Sequence, residues 1–301
     1  MSHENYASRT PQLMKSFDRA IALAKPILIA RYGEAEADAL MRESRQKYHA
    51  LIPQIPYIGN HNPLLDVFFF PASRHLGIYK AFREHGKTVE EVGRLVYEIG
   101  EAEIRSFPGL VRRAIGILWF SRWFTNRAQK RAAQSREHPY PGGYVVAFVS
   151  GDGKEFDYEF DYIECAVLNF YRQQGAAELV PYLCAIDKIA SELLGWGLRR
   201  TMTLAEGGAK CDFRFKKGGK TCVPIPQSLE GYANRERVKT SNASSLTREY
   251  ILVAVLGAMI GGLVVALATK AIPKILAQTM AQFMQKMMAQ MQANEHAPSE
   301  I

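Results

Sequence analysis

No Cys-x-x-Cys pair occurs anywhere in these 301 residues, and the chain holds four cysteines in all. That spacing excludes a zinc ribbon and a thioredoxin-type redox site. So few cysteines do not make a disulfide framework. The polar opening MSHENYASRT has no apolar stretch of the kind a secretory leader needs. Free thiols in a reducing compartment are the simplest expectation. There is no phosphate loop and no dinucleotide fingerprint, because Gly151-x-Gly153 reads as a hairpin turn. No nucleic-acid-binding motif is recognisable either. No cofactor is called for, and nucleic acid is not an expected partner.

What remains is globular in composition, with 48% hydrophobic and 23% charged residues. The length suits one good-sized domain with additions. The net charge of +8 favours an anionic surface or a carboxylate substrate.

Residues 1–10 read as a loose tail, and residues 11–217 as the main α+β domain. Its N-terminal half is helical. Leu13, Phe17, Ile21 and Ala24 recur at helical spacing, and Pro26 should kink or restart that helix. A second helix is expected over Ala35–Leu51. An apolar helix should follow Asn62-Pro63 and end at Gly86. Thr88-Val-Glu-Glu91 then forms a capping box for the next helix. One further helix is expected over Gly109–Gln134, unusually basic and interleaved with Trp119, Phe120, Trp123 and Phe124. It fits an anionic lipid surface, nucleic acid or an ordinary solvated basic face, and lipid ranks above nucleic acid.

After Pro139–Gly143 the period changes to that of strands. Tyr144–Val149 and Phe156–Glu164 form a hairpin about Ser150–Gly153. Leu198–Leu204 and Cys211–Phe215 form a second one, with two helices between the pairs. The expected fold is α+β: a helical N-terminal half joined to a four-stranded antiparallel sheet. Residues 218–249 read as a polar linker. Ile251–Thr269 carries no charge over nineteen residues, enough for one C-terminal transmembrane helix within 250–270. Its Gly257/Gly261 GxxxG suggests helix packing, hence a homo-oligomer. Residues 271–301 read as an amphipathic helix and tail. This would make a single-pass membrane protein with its main domain in the cytoplasm.

The chemistry is concentrated between Cys165 and Phe215. Cys184 and Asp187 lie three residues apart on an expected helix and so share a face. Cys184 is the favoured thiol, with Asp187 as base or orienting carboxylate, and Cys211 and Cys165 approach from strands. Small buried core cysteines would look the same in sequence. A metal site of Cys165, Cys184, Asp187 and Cys211 fits in ligand type but not in spacing, and none is expected. Arg200 and Arg214 are candidates for a substrate carboxylate. One of them could instead pair across strands with Asp212 or Glu206. Asp212 and His61 complete the substrate-binding candidates, and His75 is a second histidine that could pair with a cysteine.

The same segment resembles the L-2-amino-thiazoline-4-carboxylic acid hydrolase family. The likeness rests on Cys165, Gly175–Leu179, Cys184 with Asp187, Arg200–Thr203, Gly207-Gly208 and Cys211-Asp-Phe-Arg214. Ile55–Gly59 with Asn62-Pro63, and Leu76–Tyr79 leading to Gly86, extend it to about residues 30–217. The resemblance implies a hydrolase acting on a non-peptide carbon–nitrogen bond in a cyclic amidine, with a product of the N-carbamoyl-cysteine type. The small molecule would be the main partner. The other reading is a non-catalytic small-ligand or sensory module at a membrane.

Overall fold

The computed structural model describes residues 6–58 and 63–233, which fall within one compact unit, Met1–Thr240. Helix α1 (Thr10–Tyr32) runs on through Pro26, where the sequence predicts a kink; Ala24 and Leu28, buried on either side, hold it in place. Gly33, with a positive φ of 80°, lets the chain reverse into α2 (Glu34–Leu51). Helix α3 (Pro63–Glu84) packs on α2, and Arg74 from α3 ties the bundle together. Its guanidinium donates to the Ser16 carbonyl at 3.0 Å and to Glu103 at 2.8 Å. The expected capping box is present. The Thr88 hydroxyl accepts from the Glu91 amide, the Glu91 carboxylate accepts from the Thr88 amide, and α4 (Val89–Ser106) follows.

The single helix expected over Gly109–Gln134 is two helices, α5 (Gly109–Trp119) and α6 (Arg122–Glu137). Ser121 explains the break. Its hydroxyl donates to the Leu118 carbonyl at 2.7 Å and accepts from the Phe124 amide at 3.2 Å. One side chain thus closes the first helix and caps the second.

Strands β1 (Val145–Ser150), β2 (Tyr158–Glu164) and β3 (Cys211–Phe215) form an antiparallel sheet in the order β1-β2-β3. The four-stranded sheet is therefore corrected to three strands among the described residues. The missing strand is Leu198–Leu204, and its backbone donors show why. The Thr201 and Met202 amides donate to the Asp212 carboxylate, and the Leu204 amide points at the Cys211 sulfur. Side chains of β3 take the donors that a ladder would need, so only Arg199 bridges to Arg214.

Between β2 and β3 lie α7 (Ala166–Gln173) and α8 (Val180–Leu194). Gly195 closes α8 in the left-handed region at φ 72°. Helix α8 is pressed onto α4 at Gly93, where any Cβ would come 2.3 Å from the Tyr182 ring. Trp119 of α5 stacks on Trp196 at 4.3 Å, and both meet Phe215. These contacts fix α8 against the bundle on one side and the sheet on the other. A short helix α9 (Gln227–Ala233) ends the described region. No described helix is long and apolar enough to cross a membrane. The span predicted at Ile251–Thr269 lies outside the described residues.

Candidate functional site

Five chemically capable side chains from four places in the chain are drawn to the same region. Cys184 and Asp187 come from α8, one turn apart. Cys165 stands at the N-cap of α7, and Cys211 opens β3 opposite Tyr162 of β2. Arg200 comes from the segment that failed to become a strand. Its amide donates to the Cys222 carbonyl at 3.0 Å, while Arg199 exchanges hydrogen bonds with Arg214. That anchoring places the Arg200 guanidinium 5.3 Å from the Phe213 ring centre, where it donates to the Asp187 carboxylate at 2.5 Å and to the Cys184 carbonyl at 3.1 Å.

The ion pair is graded in exposure. Arg200 retains 2% of its side-chain surface and Asp187 retains 26%. The carboxylate therefore stands between solvent and the buried cation. The guanidinium Nε is buried and has no hydrogen-bond partner among the described residues. A charged donor without an acceptor is costly to leave unused.

Burial governs the protonation of the cluster. It lifts the Asp187 carboxyl to about 6, with the Arg200 charge and hydrogen bond opposing it. Burial also pushes the Cys184 thiol well above its ordinary value, with Arg200 opposing and Asp187 adding to the rise. Cys165 is pushed up to about 12 by burial, although the Leu168 and Val167 amides at the start of α7 pull the other way. Cys211 is raised by burial against the Leu204 amide and Arg200. In each cysteine desolvation outweighs the amides and the cation that favour a thiolate. The three thiols lie within electrostatic range of one another and of Asp187. No group of three or more His, Cys, Asp or Glu side chains among the described residues is arranged to hold a metal ion.

Two members of this cluster were not signalled by the sequence as chemistry. Tyr144 is buried, just before β1, and feels Cys165, Tyr162, Cys184 and Asp187. Tyr162, on β2, feels Asp187, Cys165 and Cys211. Burial first, and these neighbours second, raise both phenols and keep them protonated. In sequence they are two aromatic strand residues among many, and only the fold distinguishes them.

The other candidates go elsewhere. Asp212 is fully buried and accepts from the Thr201 amide, the Thr201 hydroxyl and the Met202 amide at 2.7–2.9 Å. Burial would raise its carboxyl, but these donors win and hold it below the usual range. It organises the loop that carries Arg200. Arg214 alternates to the other face of β3, where it meets its cross-strand partner Glu159 at 3.2 Å and Asp212 at 3.8 Å. His75 is buried on α3 with Nδ1 unpartnered among the described residues, and burial lowers it to about 3. It does not figure among the charges acting on the cluster. His61 lies outside the described residues. Cys222 is exposed.

Thiol labelling should follow this pattern. In the native protein at pH 8, Cys222 is expected to react first, and Cys165, Cys184 and Cys211 at least about tenfold more slowly because their thiolates are suppressed. Mass spectrometry of alkylated peptides over time reads this directly. Fast labelling of Cys184 at that pH would mean that desolvation does not dominate there.

The model of the L-2-amino-thiazoline-4-carboxylic acid hydrolase family matches residues 73–215. The resemblance read from the sequence is thereby shown over that segment, which contains every member of the cluster. Ile55–Gly59 and Asn62-Pro63 fall outside it. No curated protein and no solved structure matches the chain.

Proposed function

We propose that the cluster is a hydrolytic site for a small cyclic amidine carrying a carboxylate, the substrate type named by the family that matches residues 73–215. One observation supports this most: the Asp187–Arg200 ion pair, its guanidinium buried and its carboxylate facing outward, with the carboxyl poised at about 6 and a guanidinium donor left over. An amino-thiazoline carboxylate presents the complementary pair, an amidinium and a carboxylate. The amidinium sits against Asp187 and the carboxylate takes the unused Nε donor of Arg200, so each member of the pair gains a second partner. The Tyr144 and Tyr162 phenols, held protonated, supply neutral donors beside them.

In this reading water attacks the carbon between ring nitrogen and sulfur, with Asp187 as its base. One water proton passes to Asp187 as the carbon–oxygen bond forms. The carbon–sulfur bond then breaks. The carboxyl proton goes to the departing sulfur, and the hydroxyl proton is released as the new carbonyl forms. The product is a ureido acid with a free thiol. A carboxyl near 6 suits this work at neutral pH. The raised Cys184 pKa favours water over a resting thiolate as the attacking group, with Cys184 lining the site beside Asp187.

The test is direct. The purified chain is incubated with 2-amino-thiazoline-4-carboxylate, and the new thiol is followed after protein removal. Thiol release together with an N-carbamoyl product by mass spectrometry is the expected result. Saturable binding without release would replace the hydrolase with a ligand-binding module. Neither binding nor release would remove this substrate class.

A further inference from the structure

Helix α5 shows solvent a face that a soluble surface does not need. Leu110 is 83% exposed and Ile117 61%, and Leu118 and Trp123 follow at 42% each. Leu110, Ala114 and Ile117 recur at helical spacing, and Arg113 lies between them on the same exposed side. The opposite side is fully engaged. Trp119 stacks on Trp196, and Gly116 is so close to α8 that a Cβ would lie 2.1 Å from the Leu194 carbonyl. The exposed residues therefore have no room to turn inward.

Along the chain itself, α5 and α6 carry charge of one sign as far as Arg136. From Gly109 to Arg136 the chain has no acidic residue, and it carries seven basic ones, Arg113, Arg122 and Arg127 among them. Arg127 lies 5.9 Å from the centre of the Trp123 ring, which joins the apolar and basic features on α6.

We propose that α5 and the start of α6 dock on an anionic lipid surface, lying in its interface without crossing it. Leu110, Ile117 and Trp123 enter the headgroup boundary, and the arginines meet the lipid phosphates. Charge complementarity selects this occupant. A second copy of the chain, placed symmetrically, would set Arg113 and Arg122 against themselves. Nucleic acid would satisfy the arginines and leave Leu110 and Ile117 in water. Apolar side chains as exposed as Leu110 and Ile117 suit a plane more than the groove-filling mode of an acidic peptide. The surface is separate from the Asp187–Arg200 pair, so the two readings fail independently.

The full chain is to be sedimented with vesicles of phosphatidylcholine alone and with 30% phosphatidylglycerol added, an order-of-magnitude choice for a strongly anionic surface. Binding should prefer the anionic vesicles by about tenfold or more and weaken with salt. Arg113→Gln with Arg122→Gln should weaken that binding roughly thirtyfold, two lipid-facing charges being lost at about 1 kcal/mol each. Leu110→Ser with Ile117→Ser should weaken it by about tenfold or more. All four positions are exposed or surface-facing, so the thermal unfolding midpoint should not move. Equal binding to both vesicle types would overturn the proposal. So would anionic binding untouched by the Leu110/Ile117 pair. Binding to a single-stranded oligonucleotide that the arginine pair abolishes, with no vesicle binding, would overturn it in favour of nucleic acid.

Discussion

Asp187→Asn should lower kcat/KM by about 10²- to 10⁴-fold, the usual worth of a positioned general base. Asparagine keeps the shape and one acceptor for Arg200, so the variant is expected to fold, and its far-ultraviolet spectrum should match the parent's. The more specific readout is the pH profile. Burial lifts the Asp187 carboxyl to about 6. A base works only when ionised, so the rate of the parent should fall about tenfold per unit as pH drops below that value. Above it the rate should be level until another group titrates. In the Asn variant the residual activity should lack that acidic limb. Cys184→Ala serves as the contrast: with water as the attacking group, it should retain turnover within about tenfold of the parent. If instead Cys184→Ala abolishes turnover while Asp187→Asn spares it, the thiol is the nucleophile and Asp187 only orients it.

The same residues show what could and could not be read in sequence. The i, i+3 spacing of Cys184 and Asp187 was legible because helical periodicity is local. So were the Thr88 capping box and the hairpin at Ser150–Gly153, each set by a few adjacent residues. The fourth strand that the sequence predicts does not form, for a physical reason. Thr201–Leu204 has a strand-like composition, but Asp212 and Cys211 across the turn offer its amides better partners than a neighbouring backbone. Strand propensity describes half-buried pleated surface, and it cannot anticipate a buried carboxylate that competes for the donors. The split between α5 and α6 escaped for a similar reason, because Ser121 acts through hydroxyl geometry that leaves the apolar period unbroken. Arg200 and Arg214 were equal candidates in sequence. Strand alternation sent Arg214 to Glu159, while Arg200, outside the strand, reached into the helix-facing side of the sheet to Asp187. Tyr144 and Tyr162 carried no local signal at all, since their chemistry arises from what the tertiary fold places beside them.

Arg200→Met should be the most destabilising substitution at this site, and its cost should depend on pH in a defined direction. Removing one member of a buried pair strands the other, at about 3–5 kcal/mol when that other is fully buried, and Asp187 with a quarter of its side chain exposed belongs at the lower end, about 3 kcal/mol. For a domain of this size that corresponds to a fall of roughly 10 °C in the unfolding midpoint. The sign with pH follows from the carboxyl left behind. An acid whose folded value is raised holds, when folded, a proton that the unfolded chain has released, so stability declines as pH rises between the two values. In the parent that decline runs from about 4, the ordinary aspartate range, to about 6. Without the guanidinium, desolvation acts unopposed, so the Asp187 value should climb further and the decline should continue above 6. The penalty of Arg200→Met should therefore be largest near pH 8 and shrink toward pH 5, where Asp187 is neutral in either protein. Asp212 contributes the opposite slope. Its lowered carboxyl stabilises above the ordinary aspartate range and loses that effect as pH falls through the folded value. It is common to both proteins and cancels in the difference. Urea titrations of parent and variant at a series of pH values measure that difference. The double substitution Asp187→Leu with Arg200→Met removes both charges and should recover most of the lost stability, because an apolar pair of similar volume leaves no charge unpaired. A double variant no more stable than Arg200→Met alone would mean that the loss comes from the Cys184 carbonyl contact and the packing over Phe213 rather than from the charge on Asp187.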